Sequence, residues 1–433
     1  MKIAMLTNNY KPFIGGVPIS VERQAEELVK LGNEVTVFAP EYIEETVFAP
    51  EYIEETSEQM QGIRVIRYGV CRTRMENGMV YPKWIQPEIL QVFETEEFDL
   101  IHTHHPMFVG PTALYLGRKY QIPVVYTYHT RYEEYLHYIG LFQENRSFPK
   151  WRKRLLKIGQ RKIVPIYMRW FTNQCDLVLA PTAGMQRRIR ENGTSVPIAV
   201  FPTGLADEFY REYPEEAADI RRKYLPGGGY LFCTTGRLEE EKNPHFLLKG
   251  IRKLKESMTE SFRVLLLGDG SIRKELEIEA QQLGISEIVH FVGNIENEKL
   301  NRYLQACDVF LFASKSETQG IVLSEALASG CPVVAVRASG VEDLVKNGVN
   351  GYLTEEEETV WVEKVIEAAH LGMKEQARKS AYAYRASGLA IYEEMLYRQC
   401  IAAKQRQERE DEEYETNRKK HASEVVSGIF KAS

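Results

Sequence analysis

The chain of 433 residues is longer than one ordinary domain, and its 44% hydrophobic and 27% charged residues are typical of a soluble globular protein. Its net charge of −6 argues against nucleic acid as the main partner. Six cysteines without metal-type spacing, an amino terminus too short for a secretory signal and no apolar stretch of membrane-spanning length predict a cytoplasmic protein with free, buried thiols.

The amino-terminal segment carries the pattern of a βαβ unit. Lys2–Thr7 has the apolar character of a buried strand, Pro18–Leu31 has the periodicity of a helix, and Glu34–Ala39 is predicted as a second strand. Such a unit implies a parallel sheet. Gly15 and Gly16 stand between the first strand and the helix. Glycines there let the backbone approach a ligand phosphate, although a simple turn would explain them as well.

A ten-residue segment is repeated without change, because Val37–Thr46 is followed directly by Val47–Thr56. Two copies do not make a solenoid, so a local duplication that lengthens a surface loop is the favoured interpretation. Only one copy of Val-Phe-Ala can complete the strand that begins at Glu34. The other copy must be accommodated in the loop.

The βα pattern continues through a segment rich in histidine. A predicted helix over Gly110–Lys119 precedes a predicted strand over Val124–Tyr128. His129 follows this strand, where ligand-facing residues of α/β sheets lie, although a capping or core role is also open. His102 and His104 alternate onto one strand face at a spacing that suits zinc. No thiol or carboxylate completes a site nearby in sequence, which favours a packed or cleft-lining role.

A basic and aromatic stretch, residues 146–171, interrupts an otherwise acidic chain. Arginine and lysine alternate there with phenylalanine, tyrosine, tryptophan and leucine. This composition is typical of a surface that contacts anionic lipid, and an ordinary solvated helix is the alternative. The stretch therefore predicts an anionic membrane surface as a partner, and a peripheral location on the inner face of the cell membrane within the cytoplasm.

A second βα series begins after residue 205. Its strands are predicted at the apolar runs Tyr230–Thr235, Phe262–Leu267, Val289–Val292, Val309–Phe312 and Pro332–Val336. The boundary between the two series is predicted in the polar stretch Asp207–Gly229, which is rich in proline and glycine. The resulting division has domains over 1–205 and 206–380, a helix over 381–400 that packs back on the first domain, and a charged tail over 401–433, either helical or disordered.

The loop after the strand Tyr230–Thr235 carries two cations. Arg237 and Lys242 follow the carboxyl end of a strand, where ligands of α/β proteins bind. A surface ion pair with Glu239–Glu241 would explain the same two residues. The segment Gly268–Gly270 after the next strand is a weaker sign of a ligand loop, because glycine turns follow many strands.

Two carboxylates, Glu317 and Glu325, stand eight positions apart in a predicted strand–loop–helix unit that contains Gly320. Backbone N–H groups at the start of a helix attract phosphate, and carboxylates accept hydrogen bonds from the hydroxyls of a sugar and a ribose. Eight helical residues rise about 12 Å, which suits a sugar–diphosphate–ribose ligand. Taken alone, two solvated acids would explain the spacing equally well.

Together these motifs resemble the retaining glycosyltransferases of family four, which have the GT-B fold. The resemblance extends from Met1 to about Tyr397. It is carried by the Glu-x7-Glu segment, the Gly-Arg-x4-Lys loop, Gly15-Gly16, and Ser329–Val334 followed by Gly340–Asp343. It implies an α/β architecture of two Rossmann-like domains facing a central cleft, with a nucleotide diphosphate sugar bound mostly on the second domain.

The resemblance also implies a role for each motif residue. The catalytic residues it implies are His129 beside the donor sugar, Arg237 and Lys242 on the diphosphate leaving group, and Glu317 on the sugar hydroxyls. The substrate-binding residues it implies are Gly15, Gly16, Thr318, Gln319, Gly320, Ile321 and Glu325, the last on the ribose diol. No metal and no cofactor are implied. The sequence offers no carboxylate nucleophile opposite Glu317, and the family favours front-face substitution.

The segment Tyr126–Tyr138 resembles the corresponding part of bacterial diacylglycerol glucosyltransferases. This implies transfer of glucose from UDP-glucose to diacylglycerol at a membrane surface. Transfer to a soluble acceptor or a polysaccharide precursor stays open. So do a sugar-nucleotide epimerase of GT-B shape and a non-catalytic sugar-nucleotide-binding protein with the charged tail as a docking arm. The epimerase would need catalytic acids in the cleft rather than the cations Arg237 and Lys242.

Overall fold

The structure, a computed structural model, consists of two parallel sheets flanked by helices. It describes residues 1–13, 15–42, 57–60, 62–74, 80–130, 132, 162–314, 317, 319–338 and 340–432. Most of the basic stretch 146–171 and the second copy of the duplicated segment lie outside these residues. Within the described part of the chain, no helix is both long and apolar enough to cross a membrane.

The amino-terminal half contains one large sheet. Its strands are β1 (Lys2–Leu6), β2 (Glu34–Pro40), β3 (Ser57–Met60), β4 (Ile63–Tyr68), β5 (Val70–Arg74), β6 (Val80–Pro82), β7 (Leu100–Thr103), β8 (Val124–Thr127), β9 (Leu177–Ala180) and β10 (Ile198–Val200). Strands β5 and β6 pair with each other, and the described remainder forms a sheet in the order β10-β9-β8-β7-β1-β2-β4-β3. Within this eight-stranded sheet the described pairings are parallel except for that of β3 with β4, and the separate pair β5–β6 is antiparallel as well.

The first copy of the duplicated segment completes a central strand. Phe38 in β2 lies opposite Leu6 of β1 on one side and Ile66 of β4 on the other. Val37, Phe38 and Ala39 are fully buried, because a parallel sheet is covered on both faces. The first four residues of this copy, 37–40, therefore belong to the folded core of this sheet.

The helices of this half pack on both faces of the sheet. They are α1 (Gly16–Lys30), α2 (Pro87–Thr95), α3 (Val109–Tyr120), α4 (Val164–Thr172) and α5 (Ala183–Glu191). Helix α1 starts two residues before the predicted Pro18, because a proline in the first turn needs no hydrogen-bond partner for its nitrogen. Its apolar residues Val21, Ala25 and Leu28 are fully buried against the sheet.

The second half repeats this architecture with a smaller sheet. Its strands are β11 (Tyr230–Thr235), β12 (Phe262–Leu267), β13 (Val289–Gly293), β14 (Val309–Phe312), β15 (Val333–Val336) and β16 (Gly351–Thr354), in the order β13-β12-β11-β14-β15-β16. Its helices are α6 (Pro214–Tyr224), α7 (Pro244–Ser257), α8 (Arg273–Gln282), α9 (Asn297–Ala306), α10 (Ile321–Ala328), α11 (Glu358–Leu371) and α12 (Lys374–Ala381). All the described pairings are parallel.

The polar stretch Asp207–Gly229 is folded into the second half and is not a linker. It forms the 3₁₀ helix Asp207–Tyr210 and helix α6, and Phe209, Ala217 and Leu225 belong to the core of the second sheet. The chain crosses between the halves just before this stretch and returns after Tyr384. At the crossing, the backbone N–H of Leu205 donates to Tyr384 O over 2.7 Å, and that of Ala386 donates to Leu205 O over 2.9 Å.

A single carboxyl-terminal helix, α13 (Ala386–Ala432), follows the second crossing. Leu389, Leu396, Tyr397 and Cys400 are buried with α1 in the core of the first sheet. The helix continues without a break past residue 400, and its charged side chains between about 404 and 419 are mostly exposed. The helix therefore joins the far end of the described chain to the amino-terminal domain.

Candidate active site

Two helices begin opposite each other at the cleft between the domains. Helix α1 follows Gly15, and helix α10 follows Gly320, which has a left-handed backbone with φ of 72°. A Cβ atom added to Gly16 would lie 3.7 Å from Ile321 Cδ1. The free backbone N–H groups of both helix starts thus converge on one place, which is favourable for an anionic ligand.

The structure brings Lys242 and Glu317 together, although they are distant in sequence. Their strands β11 and β14 are neighbours, so both loops leave the same edge of the sheet. Lys242 Nζ lies 2.5 Å from Glu317 Oε1, and the Ser314 hydroxyl donates to the same oxygen over 2.9 Å. This predicted cation therefore pairs with a predicted site carboxylate and not only with the acidic residues of its own loop.

Arg237 forms a surface ion pair with an acidic residue of its own loop, as one of the two interpretations of the sequence predicts. Its Nη2 atom donates to Glu241 Oε1 over 2.8 Å, and 56% of its side chain is exposed. An exposed pair of this kind contributes little to stability, typically below about 1 kcal/mol. Arg237 can consequently exchange Glu241 for an anionic ligand at low cost.

The glycine loop Gly268–Gly270 supports the Arg237 loop by close packing. The backbone N–H of Leu238 donates to Asp269 O over 3.0 Å. A Cβ atom would lie 2.0 Å from Gly236 O if added to Gly268, and 2.2 Å from Leu238 O if added to Gly270. These two glycines are therefore required for the contact between the loops after β11 and β12.

Glu325 faces the first domain from the second turn of α10. It is 5% exposed, and its Oε1 atom lies 3.6 Å from Nη2 of Arg23 on helix α1. Burial raises the pKa of the Glu325 carboxyl, and the Arg23 guanidinium opposes that shift. Arg23 also donates to Gly204 O over 3.0 Å at the domain crossing. Glu325 is thus held in place by a buried cation from the other domain.

Sequence reasoning missed Arg23, although α1 carries a signal for it. Ser20, Arg23 and Gln24 are polar, buried and spaced so that they lie on one face of the helix. Ser20 contacts the Thr203 hydroxyl over 3.2 Å, and Gln24 donates to Ser20 over 3.0 Å. A buried polar stripe on an otherwise amphipathic helix indicates that this face contacts another part of the protein.

Gln319 is committed to a contact within the protein. Its amide oxygen accepts from Thr203 N over 2.6 Å, and its amide nitrogen donates to Thr203 O over 3.1 Å. The side chain therefore fixes the start of α10 to the segment just before the domain crossing. Thr318 lies outside the described residues.

Four histidines meet at the carboxyl ends of β7 and β8. His104 Nδ1 lies 2.9 Å from His129 Nε2, and their rings stack with centroids 5.2 Å apart. The backbone N–H of Asn8 donates to His105 Nδ1 over 3.1 Å. Burial lowers the pKa of His102 and His104 well below its usual value, and lowers that of His105 and His129 to about 3. The cluster is therefore uncharged at neutral pH.

This arrangement defines a class of protein: two Rossmann-like domains whose glycine-led helix starts, cations and carboxylates converge on one cleft. The description "Glycosyltransferase Family 4" matches residues 14–209, and "Glycosyl transferases group 1" matches residues 216–386. The chain is a glycosyltransferase of the GT-B fold, built from a family 4 domain and a group 1 domain. The predicted family and fold are both confirmed.

Similar proteins include enzymes of glycolipid synthesis. The chain is 28% identical over 360 residues to alpha-monoglucosyldiacylglycerol synthase of Streptococcus pneumoniae, covering 82% of this chain and 75% of that one. It is 26% identical over 367 residues to the Acholeplasma laidlawii enzyme of the same name, covering 83% and 86%. Sucrose-phosphate synthase of Thermosynechococcus elongatus has a similar structure, with TM-score 0.72, 20% identity and coverage of 93% and 99%. Anabaena HepE in complex with UDP-glucose has TM-score 0.64, 19% identity and coverage of 93% and 100%.

Proposed function

We propose that this glycosyltransferase moves glucose from UDP-glucose to diacylglycerol at a membrane surface, with retention of the anomeric configuration. The observation that carries the proposal is the placement of Lys242 and Glu317 side by side at the start of α10, with Glu325 further along the same helix. The similarity to alpha-monoglucosyldiacylglycerol synthases supports the choice of sugar and acceptor.

The ion pair between Lys242 and Glu317 suits a donor with both a diphosphate and a sugar. When the diphosphate binds, the Lys242 ammonium pairs with it instead of with Glu317. The Glu317 carboxylate can then accept hydrogen bonds from the sugar hydroxyls. Arg237 turns from Glu241 to the same diphosphate. Glu325, one helix turn beyond the phosphate-facing start, accepts hydrogen bonds from the ribose diol. The uridine diphosphate glucose complex of HepE supports a donor of this length.

The reaction breaks the bond between the anomeric carbon and the β-phosphate oxygen. The acceptor hydroxyl attacks from the same face, and its proton passes to the departing phosphate oxygen, which gives the glucosylated acceptor and UDP. Negative charge grows on the diphosphate as the bond breaks. Donor binding brings Arg237 and Lys242 onto the diphosphate before the bond breaks, and together with the backbone N–H groups at the start of α10 they stabilise that charge. His129 is neutral and lies beside the sugar, where it orients without adding charge.

Exposed apolar residues in and next to helix α4 support the proposal of a lipid acceptor. Ile163, Ile166 and Trp170 are 65%, 61% and 48% exposed, and they form the described end of the basic stretch 146–171. Lys162 and Arg169 lie beside them in sequence. Apolar side chains that face solvent next to basic ones are typical of a helix that rests on an anionic bilayer.

The experiment that tests the proposal supplies the protein with UDP-glucose, UDP-galactose or GDP-mannose, with and without diacylglycerol vesicles. We expect a glycolipid only with UDP-glucose and diacylglycerol, and an α-linkage in its NMR spectrum. A β-linked product would refute retention. Transfer to a water-soluble sugar but not to diacylglycerol would refute the acceptor. Failure to bind or turn over any of the three donors would refute the enzyme itself.

Replacing Glu325 by glutamine should weaken UDP-glucose binding by about tenfold or more, because a hydrogen bond to a charged group contributes about 1.5–3 kcal/mol. Glutamine keeps a polar partner for Arg23, so this variant is less disruptive than alanine. Isothermal titration with UDP-glucose and with its 2′,3′-dideoxyribose analogue is the measurement. The wild type should prefer the natural ribose, and the variant should lose that preference.

A variant that still discriminates between the two ribose forms would show that Glu325 does not bind the diol. Arg23→Met with Glu325→Gln provides the matched control, because it removes both members of the buried pair. If this double variant binds like Glu325→Gln, the loss belongs to the ribose contact and not to a stranded arginine.

Replacing Ile166 and Trp170 by serine should lower binding to anionic vesicles by about tenfold or more, since burial of one such apolar side chain contributes about 1.5–3 kcal/mol. Vesicle flotation measures the bound fraction. Ile278→Ser on α8 is the control, because Ile278 is 55% exposed but lies on the second domain. Equal flotation of the α4 and α8 variants would contradict a membrane contact through α4.

A further inference from the structure

The carboxyl-terminal helix α13 carries two polar side chains into the core of the first domain. Glu393 and Tyr397 are both fully buried, and they lie one helix turn apart on the same face. The Tyr397 hydroxyl lies 2.6 Å from Glu393 Oε1. A carboxyl group in such a place is costly unless its hydrogen bonds serve a purpose, so this pair needs an explanation that packing alone does not give.

The pair contacts a histidine of the cluster at the cleft. The Tyr397 hydroxyl lies 2.6 Å from His102 Nδ1, and the Thr127 hydroxyl lies 2.7 Å from His102 Nε2. Both ring nitrogens of His102 are therefore held, and the ring cannot turn. Two partners from different elements fix it, one on α13 and one at the end of β8.

His102 in turn packs against the histidines that reach the sugar end of the site. Its ring centroid lies 4.1 Å from that of His104. His104 Nδ1 is hydrogen-bonded to His129 Nε2 over 2.9 Å. A continuous set of contacts therefore runs from Glu393 through Tyr397, His102 and His104 to His129.

The position of one proton on Glu393 decides the donors and acceptors along the first part of this path. If Glu393 is ionised, Tyr397 donates to it, His102 Nδ1 donates to Tyr397, and His102 Nε2 accepts from Thr127. If Glu393 is protonated, it donates to Tyr397, Tyr397 donates to His102 Nδ1, and His102 Nε2 carries the hydrogen. Each state pairs the Tyr397 hydroxyl and both ring nitrogens of His102, and each selects one tautomer of His102.

Glu393 also borders the other end of the site. A cavity of about 10 Å³ between α1 and α13 is lined by Arg23, Gln24 and Glu393 among others. It has room for about one water molecule. Arg23 is the residue that pairs with Glu325 over 3.6 Å. Glu393 therefore stands between the histidine cluster and the buried pair that joins the two domains.

We propose that Tyr397 and Glu393 are positioning residues of the active site, which act through His102 to fix the His104–His129 pair beside the donor sugar. The inference rests on the proposed function, because it uses the place of His129 next to the sugar. Stacking by itself leaves a neutral imidazole free to slide and tilt. His102, which is hydrogen-bonded at both ring nitrogens, removes that freedom from the ring stacked on it. One of its two partners, Tyr397, lies on a helix that follows the second domain in the chain.

The first test removes one oxygen atom. Tyr397→Phe keeps the ring that meets His102 edge-on and deletes the hydroxyl. We expect kcat to fall by about tenfold or more while KM for UDP-glucose stays within about twofold, because misplacement of an active-site group by a fraction of an ångström slows the chemical step. Tyr392→Phe is the matched control, since Tyr392 lies on the same helix and packs against Phe201. It should leave kcat unchanged.

A double-mutant cycle separates positioning from general support. In a His129→Ala background, Tyr397→Phe should lower kcat no further, because the residue through which it acts is gone. Equal losses in both backgrounds would overturn the inference and show a purely structural role. Glu393→Gln keeps an oxygen acceptor for Tyr397 and should retain most of kcat, whereas Glu393→Leu should lose as much as Tyr397→Phe. If Tyr397→Phe fails to fold, Glu393→Leu takes its place in the cycle, with Glu393→Gln as its control.

The inference and the proposed function fail in different ways. An unchanged kcat in His129→Ala would remove His129 from the reaction and would overturn the inference, whereas the proposed function fails only if no glucosylated diacylglycerol is formed. If kcat falls in His129→Ala but keeps its wild-type value in Tyr397→Phe, the inference is overturned and the proposed function is not. Long-range ¹H–¹⁵N spectra of the histidine rings need no turnover. Tyr397→Phe should shift the ring nitrogens of His102 and His129, and unchanged His129 resonances would overturn the inference.

Discussion

Replacing Arg237 by alanine is expected to lower kcat by about a hundredfold or more, because removal of one preorganised donor to a developing oxyanion costs about 10²–10³ in rate. Binding of UDP-glucose should change much less. To bind the diphosphate, Arg237 gives up an exposed ion pair with Glu241. The charge on the diphosphate is greatest as the bond to the sugar breaks, so the cation contributes most in the transition state. Steady-state kinetics with UDP-glucose as the varied substrate is the measurement.

Arg252 provides the matched control for this experiment. It forms the same kind of exposed pair, with Nη2 lying 2.8 Å from Glu256 Oε1 on α7, but it lies away from the loop after β11. Arg252→Ala should have wild-type kcat. If the Arg237 and Arg252 variants turn over at the same rate, the leaving group does not depend on Arg237. A loss that appears wholly in KM would assign Arg237 to donor binding instead.

The second large expected effect is a loss of folding stability at acid pH. The folded-state pKa of each of the four clustered histidines is lowered by burial, to about 3 for His105 and His129. In the unfolded chain a histidine has a pKa of about 6.5. The unfolded state therefore binds more protons between these values. Stability from these groups is complete above about pH 6.5 and is lost as the pH falls towards the folded-state value, at up to about 1.4 kcal/mol per pH unit for each histidine.

The contribution of Glu393 to stability depends on pH in the opposite direction. Its pKa is raised to about 8 by burial, so the folded state holds a proton that the unfolded state releases. Stability from Glu393 is therefore lost as the pH rises from about 4.5 to about 8. Below about pH 6.5 the four histidines outweigh this single carboxyl. The free energy of unfolding should consequently pass through a maximum near neutral pH.

His105→Asn tests this account, because the Asn side-chain oxygen can replace His105 Nδ1 as the acceptor for Asn8 N. Urea unfolding at a series of pH values gives the slope of unfolding free energy against pH. We expect the variant's slope in the acid range to correspond to about one proton fewer than that of the wild type. In mildly alkaline buffer the two proteins should unfold alike. An identical acid slope would show that His105 takes up no proton on unfolding.

The strands were predictable because the parallel sheets bury them on both faces. Runs such as Val309–Phe312 are apolar throughout, and the site loops follow directly from their ends. The proximity of Lys242 to Glu317 depends on β11 and β14 being neighbours, and sequence order alone does not tell which strands pair. Arg23 was missed for a related reason, since its partner Glu325 lies on the other domain.

The domain boundary was predicted from composition in the stretch Asp207–Gly229, and this stretch is folded into the second half. Pro214 lies at the start of α6, where a proline is favourable, and the other polar residues of Asp207–Gly229 form the solvent face of a packed helix. The proline and the charged residues of this stretch therefore lie within the second half, just after the crossing at Leu205. The contact between His102 and Tyr397 was beyond sequence reasoning, because nothing local marks two residues at such a separation as neighbours.

The path of the carboxyl-terminal helix also affects the order in which the two domains can fold during synthesis. Leu389, Leu396 and Tyr397 complete the hydrophobic core of the first sheet, yet they leave the ribosome only after the whole second domain. The second domain can close while the first still exposes an apolar face, which inverts the usual amino-to-carboxyl order of domain folding. A nascent chain stopped before Ala386 would therefore carry a complete second domain and a first domain whose hydrophobic core lacks the residues of α13.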